Sequence, residues 1–391
     1  MGSTMIRLHG RIEPCGEAQP TEGIFIVARE VYPPLAARHN YVAIDPCIDD
    51  TENYACIFSH DPSVYQGKSD IILYELDEWC DYLSDGDIVR LGPAVPSHRH
   101  NLHILFRAKA NSNSLLLTER CDHYCLMCSQ PPKKHDDSVL LEEAFQLLSL
   151  LPPDTTSIGL TGGEPTLYGD RLIDLIEYAS FSHPAMRLDL LSNGKKFSDM
   201  GYAQKLASVG HRNLLVCVPL YSCLPEQHDF VVQCEGAFDP TIQGIVNLKV
   251  TGTKVQVRIV LHSETIPTLL ETARFIAMNL RFIDEVALMG LETIGFAKAN
   301  LESLWVDPYS YREVVKESVQ LLSDYGIPTY LFNQQLCLIS PDVEPHYVRS
   351  ISDWKNDYVG VCADCSRRHE CGGFFSSNVD RKYSEHLRPF V

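Results

Sequence analysis

Ser114-Leu-Leu-Leu-Thr-Glu-Arg-Cys121-Asp-His-Tyr-Cys125-Leu-Met-Cys128 is the stretch on which the reading of this chain turns. An apolar run of strand type leads into three cysteines spaced C-x3-C-x2-C. Three thiolates this close together can hold three irons of a [4Fe–4S] cluster and leave the fourth iron open. An open iron can bind and reduce a ligand, whereas a fully ligated cluster only passes electrons. The competing reading is a zinc knuckle or a set of buried thiols. Zinc takes four ligands, commonly from paired C-x2-C or C/H units, and no partner cysteine follows nearby in the sequence.

Further on, Ser157-Ile-Gly-Leu-Thr-Gly162-Gly163-Glu164-Pro165 reads as a strand running into a glycine turn. By itself that is an ordinary turn. Behind the cysteine loop, it resembles the signature of the radical S-adenosylmethionine (SAM) superfamily. The resemblance implies that Gly162, Gly163 and Glu164 offer backbone and carboxylate acceptors to the methionine ammonium of SAM. The glycines would let the backbone approach the ligand with no Cβ in the way. Leu190-Leu-Ser192-Asn193-Gly194 is similar to the superfamily's third strand end, near the ribose of SAM; a plain Ser-Asn-Gly turn is the alternative. Met289-Gly290-Leu-Glu-Thr-Ile-Gly295 resembles the segment that passes beneath the adenine. Met127 stands where the superfamily usually has an aromatic residue near the adenine, and a thioether can make a similar soft contact. Asp122 stands where many members have asparagine, another compact acceptor.

The chain's 391 residues are enough for two or three domains, and its hydrophobic content of 45 % is that of a globular protein. A formal net charge of −18 argues against a general nucleic-acid or anionic-membrane surface, since both need basic patches. Fourteen cysteines in clustered spacings suit metal better than disulfides, which points to a reducing cytoplasm. Residues 1–15 have no apolar core of signal-peptide length, and no apolar run approaches a transmembrane helix. Met1-Gly-Ser-Thr, ahead of Met5, is set aside from fold reasoning.

Residues 5–110 are rich in short β-type segments: Ile24–Ala28, Tyr41–Ile44, Tyr54–Phe58, Asp70–Tyr74, a turn at Asp85-Gly86 into Leu91, and His103–Phe106. They predict a small β-rich domain. Cys15, Cys47, Cys56 and Cys80 read as buried free thiols, and His98, His100 and His103 as a polar loop rather than a metal site. From residue 111 the pattern changes to alternating strands and helices. Strands are expected at 114–118, 157–161, 186–191, 214–220, 255–261, 285–289 and 328–332, with helices such as Leu141–Leu148, Leu172–Tyr178 and Thr268–Ile276 between them. Asp239-Pro240 predicts a helix start with an N-cap carboxylate. Such alternation means an α/β fold with a parallel sheet.

Side chains alternate across a strand. In Val255–His262 one face is all aliphatic, while Gln256, Arg258, Val260 and His262 share the other. Arg187, Asp189, Leu191 and Asn193 repeat that mixed face. A parallel sheet buried alike on both sides reads as continuous aliphatic runs. The mixed face instead suggests the wall of an open barrel around a polar ligand, and the superfamily's partial (β/α)6 barrel has that architecture, spanning residues 111–310 here. A buried arginine needs an anionic partner, and for Arg258 the carboxylate of SAM is one candidate. Cys217, Cys223 and Cys234 around the fourth strand read as structural thiols.

Residues 311–391 carry Cys337 and then Cys362-Ala-Asp-Cys365 and Cys371-Gly-Gly-Phe-Phe375. C-x2-C-x5-C-Gly-Gly resembles the auxiliary-cluster domains of peptide-modifying radical SAM enzymes. Four cysteines would complete a closed second [4Fe–4S] site; structural zinc accepts the same thiolates. Trp354, Phe374 and Phe375 are expected to pack this domain. Thr118–Pro132, Ala287–Glu292 and Ser350–Lys355 resemble the HxsC family, radical SAM maturases of the His-Xaa-Ser system. The resemblance runs from about residue 85 to 380 and is loose before that. It implies reductive cleavage of SAM to a 5′-deoxyadenosyl radical and hydrogen abstraction from a peptide or protein substrate with His-Xaa-Ser repeats. It also implies a second radical SAM partner protein and an external electron donor such as flavodoxin or ferredoxin. A radical SAM enzyme acting on a small molecule or nucleotide, and a non-enzymatic iron–sulfur or zinc protein, are the alternatives.

Overall fold

The computed structural model describes residues 8–15, 22–68, 71–94, 99–349, 357–375 and 382–391. The chain divides into two units, Met1–Asn113 with Glu143–Thr155, and Ser114–Glu142 with Thr156–Val391. His98, Asp70, Trp354 and the Ser350–Lys355 motif lie outside the described residues.

The first unit holds strands β1 (His9–Cys15), β2 (Gly23–Ala28), β3 (Tyr41–Ile44), β4 (Cys56–Ser59), β5 (Leu73–Glu75), β6 (Ile88–Ala94) and β7 (His100–Phe106). They close into a barrel in the order β1-β5-β4-β3-β2-β6-β7, with β7 returning to pair with β1. Alternation fills it: Val42 and Ile44 from β3, Leu102 and Ile104 from β7, and Phe58 and Tyr74 all join one buried cluster. Closure leaves no free edge. Two sequence expectations change here. His100 and His103 belong to strand β7 rather than a polar loop, and His100 is buried with Nδ1 at 3.0 Å from the Gly92 carbonyl. Cys56 and Cys80 are buried as expected, but Cys15 is only half-buried and Cys47 is exposed.

The second unit is built on β8 (Ser114–Thr118), β9 (Ser157–Gly162), β10 (Arg187–Leu191), β11 (Leu214–Pro219), β12 (Lys254–Leu261), β13 (Glu285–Gly290) and β14 (Thr329–Phe332). All pair in parallel in strict chain order, with β8 and β14 as the edges. Residues 111–310 hold six of these strands, β8–β13, as expected, and β14, expected at 328–332, extends them into an open sheet of seven. Helices α1 (Ser138–Leu150), α2 (Asp170–Ser182), α3 (Met200–Ser208), α4 (Pro225–Val232), α5 (Phe238–Val250), α6 (Leu269–Asn279), α7 (Phe296–Ala299), α8 (Leu301–Leu304) and α9 (Arg312–Asp324) make the crossovers. Their buried stripes follow the helical repeat: Leu269, Thr272, Ala273 and Ile276 on α6, and Val315, Ser318, Val319 and Leu322 on α9. No helix among the described residues is long and apolar enough to cross a membrane.

Asp239 does not cap α5, because the helix already starts at Phe238. Asp229 does that work from the end of α4, accepting the Gly236 and Phe238 N–H groups at 2.6 and 2.9 Å. Helix α5 lies so close to the turn after β10 that a Cβ on Gly244 would sit 2.2 Å from the Gly194 carbonyl oxygen. Gly244→Ala should therefore destabilise the protein by about 1–3 kcal/mol, although alanine is the better helix former by ~1 kcal/mol. Urea unfolding checks the sign; a stabilised variant would mean that the contact yields freely.

Candidate metal centre and cofactor site

The loop from Glu119 to Cys128 leaves the C-terminal end of β8 and is held by three separate segments. On one side, Gly163 N–H donates to the Thr118 carbonyl and Glu164 N–H to that of Arg120, both at 2.8 Å. On a second, Tyr124 and Leu126 donate to the carbonyls of Val232 and Val231 at 3.1 and 2.9 Å. On a third, Phe296 N–H reaches the Cys128 carbonyl and Asn300 Nδ2 the Leu126 carbonyl, both at 2.8 Å. Gly295 has φ +58°, and a Cβ there would meet the Cys128 oxygen at 2.5 Å. The three cysteines thus sit on a clamped backbone.

Gly162 and Gly163 pack directly against the cysteine loop. A Cβ on Gly162 would lie 2.2 Å from the Thr118 oxygen, and one on Gly163 would lie 2.1 Å from that of Arg120. The bare backbone lets chain dock on chain. Glu164 is likewise a buried tie rather than an open acceptor. It is 1 % exposed, and its carboxylate already accepts Thr166 N–H (3.0 Å), Thr166 Oγ1 (2.6 Å), Ser192 Oγ (2.9 Å) and Asn193 N–H (2.6 Å). Burial still holds its carboxyl above the usual range against these donors. Ser192 is spent on this tie, and Asn193 Nδ2 donates to Asp122 Oδ1 at 2.7 Å. Both brace the loop.

Met127 is 6 % exposed and packs with Tyr221, Val231 and Ala297, so little of it is left to meet a ligand. Gly290 pairs in register with Leu261, on the aliphatic face of β12, and a Cβ there would meet the Asn333 carbonyl at 2.1 Å. Strand-end packing, rather than room beneath an adenine, accounts for that glycine. Arg258 lies on the mixed face with Gln256, to whose Oε1 its Nε donates at 2.5 Å. It has no ion pair among the described residues, so an anionic ligand could still claim it. Cys217 is buried, and Cys234 packs against the same apolar cluster as Cys125, with Lys195 Nζ at 3.5 Å from its sulfur.

Burial pushes the Cys121 thiol up to about 12, and raises Cys125 and Cys128 as well. Thiolates at these positions need a cation, and iron would supply it. His123 N–H already points at Cys121 Sγ, 3.4 Å away. The loop thus fits a cluster in the chemistry of its donors. Sequence reading missed the polar groups around it. Lys195 Nζ pairs with Asp122 Oδ2 at 2.9 Å, outweighing burial and holding that carboxyl below its ordinary range. His123, His228 and His262 are buried, and among the described residues both ring nitrogens of His123 and the Nε2 of His228 and His262 lack partners; burial drives each down to about 4.

The four late cysteines line one cavity, each of them half-buried. Backbone donors point at two of these sulfurs: Leu336 and Gly373 at Cys371, and Phe390 at Cys365, each at 3.4 Å. Gly372 and Gly373 pack as tightly as the first glycine pair, with a Cβ on Gly372 falling 1.9 Å from the Arg349 carbonyl. Phe374 and Phe375 are buried, Phe374 against Leu338 and Leu387. Among the described residues, no three His, Cys, Asp or Glu side chains converge closely enough to hold a single metal ion.

A parallel α/β sheet with a clamped three-cysteine loop at the end of its first strand defines the class of domain. Residues 115–276 match the family model of the Radical SAM superfamily, and they form a radical SAM domain. The chain is 26 % identical over 189 residues to the probable GTP 3′,8-cyclase of Saccharolobus islandicus (strain Y.N.15.51), covering 47 % of this chain and 58 % of that protein. It is also 26 % identical over 257 residues to the probable GTP 3′,8-cyclase of Sulfurisphaera tokodaii, covering 64 % and 75 %. This chain thus spans little more than half the length of the Saccharolobus relative. Among solved structures, Streptococcus suis SuiB bound to S-adenosylmethionine aligns with a TM-score of 0.45 at 14 % identity, over 57 % of this chain and 50 % of that one. Native anSMEcpe with bound AdoMet aligns at 0.42 and 17 %, over 56 % and 63 %.

One carboxylate sets the loop's entry. Asp137 accepts Thr118 Oγ1 (2.8 Å), Glu119 N–H (2.5 Å), Arg120 Nε (2.9 Å) and Tyr168 Oη (3.1 Å). Burial alone would raise its carboxyl, but these donors outweigh it and hold it below the ordinary range. Its contribution to stability is therefore complete above the unfolded carboxylate's pKa and is lost as pH falls through the lower folded value. Asp137→Asn should lower the melting temperature at neutral pH and flatten the acid limb of the stability–pH curve; an unchanged acid limb would place the acid sensitivity elsewhere.

Proposed function

We infer that the chain is a radical SAM enzyme that modifies a ribosomally made peptide or protein, with a substrate carrying His-Xaa-Ser repeats as the expected class. The observation that carries the reading is the three-cysteine loop fixed from three sides at the sheet's C-terminal edge. A cluster bound there would supply the electron for reductive cleavage of SAM and so the hydrogen-abstracting chemistry. Cys121, Cys125 and Cys128 would hold that cluster. Arg258, unpaired on the mixed face, would meet the carboxylate of SAM. Glu164, Ser192, Asn193 and Asp122 keep the loop in place, and the apolar cluster around Met127 and Tyr221 keeps water away from it.

Cys337, Cys362, Cys365 and Cys371 would hold a second, closed cluster, which could accept the electron left on an oxidised product. Their common cavity and the backbone donors aimed at the sulfurs support this over four unrelated thiols. Zinc is the alternative occupant. A nucleotide is the second substrate reading, favoured by the relatives named as probable GTP 3′,8-cyclases.

Protein prepared without oxygen and reduced in the presence of SAM should yield 5′-deoxyadenosine, and replacing Cys121, Cys125 and Cys128 together by alanine should abolish it. Iron analysis should find about eight irons in the loaded chain and about half in that triple variant. Mass spectrometry after incubation with a His-Xaa-Ser peptide or with GTP separates the two substrate readings. SAM cleavage by the triple variant would overturn the site itself.

A further inference from the structure

A second cavity lies against the four-cysteine cavity and has no part in the chemistry above. Gln335 and Phe374 line both, forming a shared wall, and Gln335 Nε2 donates to the Gly373 carbonyl at 2.8 Å across it. The lining combines neutral polar residues, Asn333, Gln334 and Ser384, with aromatic ones, Trp305, Tyr311 and Tyr383, and with aliphatic side chains such as Leu261 and Leu291. Gln334 is 3 % exposed, yet its only side-chain contact is a long one, Nε2 to Tyr311 Oη at 3.4 Å. Its carbonyl oxygen has no hydrogen-bond partner among the described residues. Asn333 beside it holds φ +57°, a conformation that costs a non-glycine residue energy. An amide oxygen left free on a cavity wall is open to a donor from a ligand.

We propose that this cavity is the docking pocket for the polypeptide substrate, holding a neutral polar stretch of it against the wall of the four-cysteine site. This rests on the peptide reading given above. A primary amide presents a carbonyl and an N–H in the same arrangement as a peptide unit, so Asn333 and Gln334 can pair with a main chain or with a side-chain hydroxyl or imidazole. The aromatic residues provide flat apolar walls, with the indole N–H and phenol hydroxyls as further partners. Charge argues against a nucleotide. The one charged residue lining the cavity is Lys382, which is already paired with Glu302 at 3.2 Å and sits over the Trp305 ring at 5.1 Å. Among the described lining residues a triphosphate would find no uncommitted cation, whereas a neutral peptide segment needs none.

The test is fluorescence anisotropy on the iron-loaded full chain, using a fluorescein-labelled peptide of tandem His-Ala-Ser repeats, with GTP as an unlabelled competitor. Gln334→Leu removes the amide at nearly constant size, and Tyr383→Ala removes a wall that is 46 % exposed. Each should weaken peptide binding by about tenfold while iron content stays at the wild-type value. Tight peptide binding that neither variant changes would overturn the pocket and leave the peptide reading standing. If the wild type does not bind the peptide, the pocket and the peptide reading fall together. Displacement by GTP that both variants weaken would overturn the substrate class assigned to the pocket.

Discussion

Everything at the candidate site depends on two backbone segments meeting with no side chain between them. Gly162 and Gly163 lie against the carbonyls of Thr118 and Arg120 at distances where no Cβ fits. That contact fixes where β8 ends and the cysteine loop begins. It also places the Glu164 carboxylate underneath, where four donors from two strand ends converge on it. A loop of three cysteines that was free to move would bind metal in many arrangements. Clamped at 163–164, 231–232 and 295–300, it can present its thiols in one. The clamps come from segments far apart in sequence, so the site forms only when the sheet is complete.

The same device appears in the tail. Gly372 and Gly373 follow Cys371 and let it approach Arg349 and Asp357 closely. The tail has little regular structure and a small apolar cluster, so it gains firmness from close backbone contacts and, on our reading, from metal. The tail groups with the sheet in one unit, which puts both cysteine sets on a common scaffold.

Much of this was legible in the sequence. Seven runs rich in aliphatic and β-branched residues became the seven parallel strands, because a buried parallel strand leaves little choice of composition. The mixed face of β12 was visible in the alternation of Gln256 and Arg258 with Val255 and Val257. Strand β1 was not, since His-Gly-Arg-Ile-Glu-Pro-Cys has too few apolar residues to declare itself and owes its state to its two neighbours. The glycine pair was legible, but a motif cannot say that the missing Cβ also makes room for another stretch of chain. Nor could it show that Ser192 and Asn193 spend their side chains on Glu164 and Asp122. Asp137, Asn300 and Lys195 carried no local signal, because their partners lie elsewhere in the chain. His100 misled for a simpler reason: a histidine-rich run looks polar until a strand turns every second residue inward.

The central claim is that the Cys121–Cys128 loop holds a cluster with one iron open to SAM, while the tail holds a closed one. Electron paramagnetic resonance of the reduced protein, recorded with and without SAM, tests it most directly. The account predicts two reduced-cluster signals, of which only one changes when SAM is added. Spectra that are identical with and without SAM would contradict it.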